Sequence, residues 1–366
     1  MRRPSAPPAT SSALPRRAVL AGGLALAACT RPAESASAPA ASGPVAPLKA
    51  APFPVGAALT AEQLADPSAQ GLLTANFSQL TCGLEMKMET ILRDDGGFDF
   101  AKADAMAAFA RAHGMRLHGH TLVWYIYRPK AFERVAADKA AFANAYRNYI
   151  LAVAGRYRGQ AAGWDVVNEP TAEDGDGYRQ CLWSEAFGMD YVDRALRHAR
   201  EADPTAVLFV NEYNLESLPR KRASFMRLIE DLLRRGAPLG GVGTQMHMGY
   251  DQDPAAVGAM MRDLAGFGLP IHVSELDVST RRRALGPGLG DRLQSQARLI
   301  GATVEAFMAL PPAQRYAFTM WGLRDKDSWL RSPLQKGDPD DRPLLFDDAG
   351  RPKPAARAFV QAAVRT

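Results

Sequence analysis

Two runs of apolar residues each end in carboxylates. Trp164-Asp165-Val166-Val167-Asn168-Glu169-Pro170 follows a glycine and stops at a proline, so it reads as a short buried strand whose last residues before the proline are an amide and an acid. Pro270-Ile271-His272-Val273-Ser274-Glu275-Leu276-Asp277-Val278 is β-branched and apolar in the same way, and its two acids, two residues apart, share one side of an extended chain. In a barrel of alternating strands and helices, the carboxyl ends of the strands face the active site. A glutamate there is a candidate acid or nucleophile rather than a solvated charge. Paired strand-end carboxylates, Glu169 and Glu275, are the equipment of glycoside hydrolysis.

The elements that must carry them alternate along the chain. Strand-like runs fall at 54–59, 77–82, 116–123, 163–168, 206–211, 241–245, 271–275 and 317–321. Helical runs fall at 101–112, 139–157, 191–202, 220–234, 254–267, 291–309 and 354–364. Eight strands with helices between them predict an α/β chain folded as a single (β/α)8 TIM barrel. An open doubly wound sheet is the rival, but no glycine-rich phosphate loop follows Pro54-Val55-Gly56-Ala57-Ala58-Leu59.

The ends of the other runs carry further motifs. In chain order they are Thr81-Cys82-Gly83-Leu84-Glu85-Met86-Lys87, His118-Gly119-His120-Thr121-Leu122-Val123-Trp124, Asn211-Glu212-Tyr213-Asn214, Gln245-Met246-His247, and Met320-Trp321 followed by Asp327-Ser328-Trp329. With the two acidic runs, they resemble glycoside hydrolase family 10, the endo-1,4-β-xylanase family, from about Phe53 to the C-terminus. The resemblance implies Glu169 as general acid/base and Glu275 as nucleophile of a retaining reaction on xylan or xylo-oligosaccharides, with the carboxyls about 5–5.5 Å apart. It implies that Lys87, His120, Trp124, Asn168, Asn211, Tyr213, Gln245, His247, Trp321 and Trp329 contact sugar. Asn168 would bond the 2-OH, and Trp321 and Trp329 would stack on the glycone. It further implies a chain from Asp277 through His247 to Glu275 that keeps the nucleophile ionised and oriented. The pattern is broken at Gly83-Leu84, where the family has Glu-Asn, at Met88 for Trp, at Tyr125 for His and at Tyr127 for Gln. The Glu, Asn and Gln positions line the second glycone subsite by this analogy, so an apolar, altered subsite is expected there. Glu212 likewise stands where the family has Asp. A hydrolase of another β-linked or decorated glycoside, and a barrel that binds glycan without cutting it, are the competing readings. No His, Cys and carboxylate spacing suggests a metal, and no cofactor is expected.

The N-terminus reads differently. Arg16-Arg17 precede a short apolar run that ends Leu26-Ala27-Ala28-Cys29, so residues 1–29 resemble a twin-arginine, lipoprotein-type export signal with Cys29 lipidated. An ordinary secretory signal with an incidental cysteine is the plainer reading. Residues 30–53 are rich in Pro, Ala and Ser and read as a disordered tether before a barrel spanning 54–366. The expected state is an exported monomer, anchored by lipid in the cell envelope at the periplasm or cell surface. Four of the 44 basic residues lie in the first 29 positions, which hold no acid, so the remainder carries 40 basic against 39 acidic residues. That balance gives no support to nucleic-acid binding or a polybasic membrane patch, and no nucleic-acid partner is expected. Export permits a Cys82–Cys181 disulfide without requiring one. Arg220-Lys221-Arg222 reads as a solvated helix start. Arg281-Arg282-Arg283 reads as a charged loop on the catalytic face that could meet an acidic glycan substituent.

Overall fold

A computed structural model describes residues 44–282 and 286–364, so Cys29 and the export signal lie outside the described residues. The strands are β1 Val55–Leu59, β2 Gln79–Cys82, β3 Arg116–Trp124, β4 Ala161–Asn168, β5 Val207–Glu212, β6 Gly241–Thr244, β7 His247–Gly249, β8 Ile271–Ser279 and β9 Arg315–Met320. All pairings within the sheet are parallel, running in order from β1 to β6, and the ring closes through β6–β8, β8–β9 and β9–β1. This is a closed (β/α)8 barrel. The extra strand β7 is a continuation of β6 beyond a break at Gln245 and Met246, and it pairs with the outer half of β8.

The expected helices form close to their sequence bounds, among them Ala101–Ala112, Lys139–Arg156, Pro219–Arg234 and Pro354–Val364. Their starts are set by caps: Asp138 accepts from the N–H groups of Ala140 and Ala141, and Asp253 from that of Ala255. The barrel interior is packed rather than hollow. The Trp164 ring lies over Gly119 on the neighbouring strand, and a Cβ at Gly119 would sit 2.2 Å from that ring. Gly243 does the same service for Asn211, whose amide oxygen would be 2.3 Å from an added Cβ.

One boundary differs from the sequence reading. Leu48 sits in a 3-10 turn, Leu48–Ala50, and is 1% exposed. Phe53 is buried against Phe307, Phe318 and Phe359. The ordered part therefore begins well before Pro54. The two apolar anchors were diluted in a Pro- and Ala-rich composition, although burying each such side chain is worth about 1.5–3 kcal/mol. Cys82 and Cys181 are both buried and unbonded.

Candidate active site

Both acids sit where the strand ladder is broken. Between Val273 and Leu276, β8 advances three residues while β9 advances two, and β8 also gains one residue on the β6–β7 side. This bulge falls on Ser274 and Glu275. A bulge twists its strand and re-aims the side chains at that point, which here lie at the mouth of the barrel. Strand β4 carries a similar extra residue at Val166 against β5, and Glu169 then leaves it with φ 57°. Met246 and Asn214, which follow Gln245 and Tyr213, are left-handed too, at φ 62° and 58°. Non-glycine residues in this region cost energy that the surroundings must hold in place, and three of them ring one site.

The carboxyls are joined through amides. Asn211 Nδ2 donates to Glu275 Oε1 at 2.8 Å and to Asn168 Oδ1 at 2.9 Å, and Asn168 Nδ2 donates to Glu169 Oε1 at 3.0 Å. Gln245 Nε2 donates to the same Glu169 oxygen at 2.9 Å and lies 3.3 Å from Asn168 Oδ1. Ser274 Oγ fixes the Asn211 amide by donating to its oxygen at 2.7 Å. Glu169 and Glu275 are only 8% and 4% exposed, so these donors replace most of their water.

On the other side of Glu275, His247 Nε2 lies 3.4 Å from Oε2 and Nδ1 lies 3.0 Å from Asp277 Oδ2. Trp329 Nε1 donates to that Asp277 oxygen at 2.8 Å, so the indole ends the chain that orients the nucleophile. Burial alone would push His247 down, but the two carboxylates outweigh it and raise it to about 10. Since the ordinary value is 6.5, the stability this pairing contributes is complete below that pH and is lost as pH rises through about 10. Burial pushes Glu275 up, but the electrostatic influence of the neighbouring His120 and the hydrogen bond and charge of His247 overcome it, leaving this carboxyl below its ordinary value.

His120 is held by Asp165, whose Oδ2 lies 2.9 Å from Nδ1, and its ring meets Trp321 edge-on at 5.1 Å. Lys87 Nζ sits 4.7 Å from the Trp124 ring and 5.8 Å from Trp321. Beneath this layer, His118, Asp165 and His272 cluster in the core with donor atoms within 4.8 Å of one another, a grouping that no spacing in the chain announces. Tyr316 OH and Thr319 Oγ1 hold the two rings, 3.1 Å from His118 Nδ1 and 2.8 Å from His272 Nε2.

The positions that break the family pattern do not stay together. Gly83 and Leu84 line a cavity of about 850 Å³ with Lys87, Trp321, Trp329, Lys326 and Leu334. Leu84 is 41% exposed there, and Leu334 93%. Tyr125 lines a separate cavity of about 400 Å³ with Arg179, Glu173 and Tyr178, and Tyr127 lines neither. Met88 is a core residue. Of these positions, Gly83 and Leu84 are the two that share a cavity with Lys87, Trp321 and Trp329. A side chain at Gly83 would press on the Leu59 carbonyl, 3.3 Å from its Cβ.

A model of glycosyl hydrolase family 10 matches residues 46–362. The chain belongs to this family. It is 33% identical over 344 residues to endo-1,4-beta-xylanase A of Cellvibrio japonicus, covering 85% of this chain and 55% of that one. It is 33% identical over 279 residues to endo-1,4-beta-xylanase B of Thermotoga neapolitana, covering 76% and 78%. Among solved structures, a variant of Xylanase10C from Cellvibrio japonicus in complex with xylopentaose matches with a TM-score of 0.82 at 28% identity, over 87% of this chain and 69% of that one. The chain spans about half the length, or less, of the first curated relatives it matches. Four residues that brace the two acids here, Asp165, Ser274, Arg179 and Lys221, were not singled out as site residues from the sequence. The signal for Asp165 was there, a charge inside a buried strand, which must have a partner.

Proposed function

We propose that this family 10 chain is a retaining hydrolase of β-1,4-xylosidic bonds in xylan or xylo-oligosaccharides. The observation that carries the reading is the amide relay that joins Glu169 to Glu275 while His247 holds the second carboxylate ionised. Glu275 attacks the anomeric carbon as the glycosidic bond breaks, and Glu169 gives its proton to the leaving oxygen. Glu169, now ionised, takes a proton from water; the water oxygen displaces Glu275 from the sugar and the free sugar leaves with its β configuration. The relatives named as xylanases and the neighbour solved with xylopentaose support the substrate class.

The finer specificity is atypical on the glycone side. Where the family offers Glu and Asn to xylose hydroxyls, this cavity offers Gly83 and the exposed Leu84. Losing two or three neutral hydrogen bonds at about 0.5–1.5 kcal/mol each weakens a subsite by roughly one to two orders of magnitude. The enzyme then favours short, aryl-linked or decorated xylosides over plain xylan. The test is kcat/KM on an aryl xyloside and an aryl xylobioside, with NMR of the first product. The expected outcome is β-anomer first and little gain from the second xylose. An α-anomer would exclude the mechanism, and a gain of roughly a hundredfold, ~2.7 kcal/mol, would show an ordinary second subsite.

The export signal places the chain, on this reading, as a lipid-anchored enzyme of the cell envelope. Replacing Cys29 with alanine is then expected to move it from the membrane to the soluble fraction. A wild type already soluble after export would end the idea.

A further inference from the structure

Lys221 is not the solvated helix start its flanking arginines suggest. It is 0% exposed, and its Nζ lies 3.1 Å from Glu212 Oε1 and 3.2 Å from the centroid of the Tyr213 ring. Glu212 is itself fully buried at the last position of β5, beside the end of β4. Its Oε2 accepts from Thr171 N at 2.9 Å, and its Oε1 from Tyr213 N at 3.0 Å. Thr171 lies two residues beyond the acid/base, so the left-handed turn at Glu169 is clamped from β5 at successive points. The Glu169 N–H donates to Asn211 O at 2.8 Å, and the Thr171 N–H donates to the Glu212 carboxylate. Arg179 closes the third side, with Nε donating to Glu169 O at 3.0 Å and Nη2 to Tyr213 OH at 2.5 Å. A buried ion pair is seldom retained for stability alone, because desolvating two charges offsets most of their attraction.

We propose that Glu212, supported by Lys221, is a positioning residue for Glu169: it holds the turn that aims the acid/base at the leaving oxygen. This deepens the hydrolase reading and rests on it. Burial raises the Glu212 carboxyl to about 7, with Lys221 opposing and the nearby Glu169 charge adding to the rise. The charged and titratable groups facing Glu212 are Lys221 from the helix Pro219–Arg234, Glu169 from the end of β4, and the phenols of Tyr125 and Tyr191. Glu173, 4.0 Å from Lys221, and Glu216 act on the lysine behind it.

Glu212→Gln removes the charge that pairs with Lys221 and accepts from the Thr171 N–H, and is expected to lower turnover of xylo-oligosaccharide about tenfold while sparing an activated aryl xyloside. Glu212→Asp keeps the charge but withdraws it one methylene from Thr171. It too should lower turnover of xylo-oligosaccharide about tenfold while sparing an activated aryl xyloside, which needs little protonation. A purely structural role would depress both substrates alike. A working wild type whose Gln and Asp variants keep both activities, or lose both substrates equally, overturns the proposal. If the Gln chain does not fold, the leaving-group comparison in the Asp variant decides it. A folded wild type with no turnover on any xyloside fails the hydrolase reading instead.

Discussion

Replacing Glu275 with alanine is expected to abolish turnover on every xyloside, by roughly 10⁴–10⁶-fold, the scale on which a lost nucleophile acts. The neighbouring Asp277 is poorly placed to take over, since it is 2% exposed and already committed to His247 and Trp329. Glu169→Ala should behave differently. A general acid contributes about 10²–10⁴-fold when the leaving oxygen is basic and much less when it is a nitrophenolate. The ratio of natural to activated substrate should therefore fall in the Glu169 variant and stay constant in the Glu275 variant. Steady-state kinetics on xylotriose and a nitrophenyl xyloside measure it, and equal losses in the Glu169 variant would reverse the assignment.

The second large effect is expected at Asn211, which touches both halves of the machinery. Its amide is fully buried and makes three hydrogen bonds, to Glu275, Asn168 and Ser274. Asn211→Ala leaves Glu275 Oε1 without its donor and releases Asn168, and should cost about 10²–10³-fold in kcat, the range seen when one preorganised donor is removed. Asn211→Asp is the more telling variant. It sets an anion beside the nucleophile, where a like charge disfavours ionisation. Glu275 stands below its ordinary value because His120 and His247 outweigh burial, so its loss of charge on acidification forms the acid limb. That limb should move to higher pH in Asn211→Asp and stay in place in Asn211→Ala. A pH profile with the acid limb unmoved by the aspartate would show that Asn211 does not act on Glu275.

The barrel was legible because its pattern is redundant. Apolar runs and amphipathic runs alternate along residues 54–364, and the seven helices expected form within two residues of the bounds read from the sequence. The strand-end acids were legible for the same reason, since a polar pair at the end of a buried run has nowhere else to go. What failed was inference about single side chains. Lys221 lies between two arginines, and only the fold shows that its side chain turns inward to Glu212 while Arg220 stays outside. Nor was it legible that Tyr125 stacks on Arg179 at the smaller cavity, since the two lie 54 residues apart in sequence. Trp329 was legible as an aromatic surface, not as the donor to Asp277, because hydrogen bonds across 52 residues have no local signature.

That last bond ties the larger cavity to Glu275. Trp329 presents a face that is 39% exposed to the cavity lined by Gly83 and Leu84, while its nitrogen grips the acid that steadies His247 and, through it, Glu275. Its ring also lies 5.3 Å from the imidazole. Whatever displaces that indole must also strain the chain that aims Glu275, so the wall of the cavity and the aim of the carboxylate form one mechanical unit.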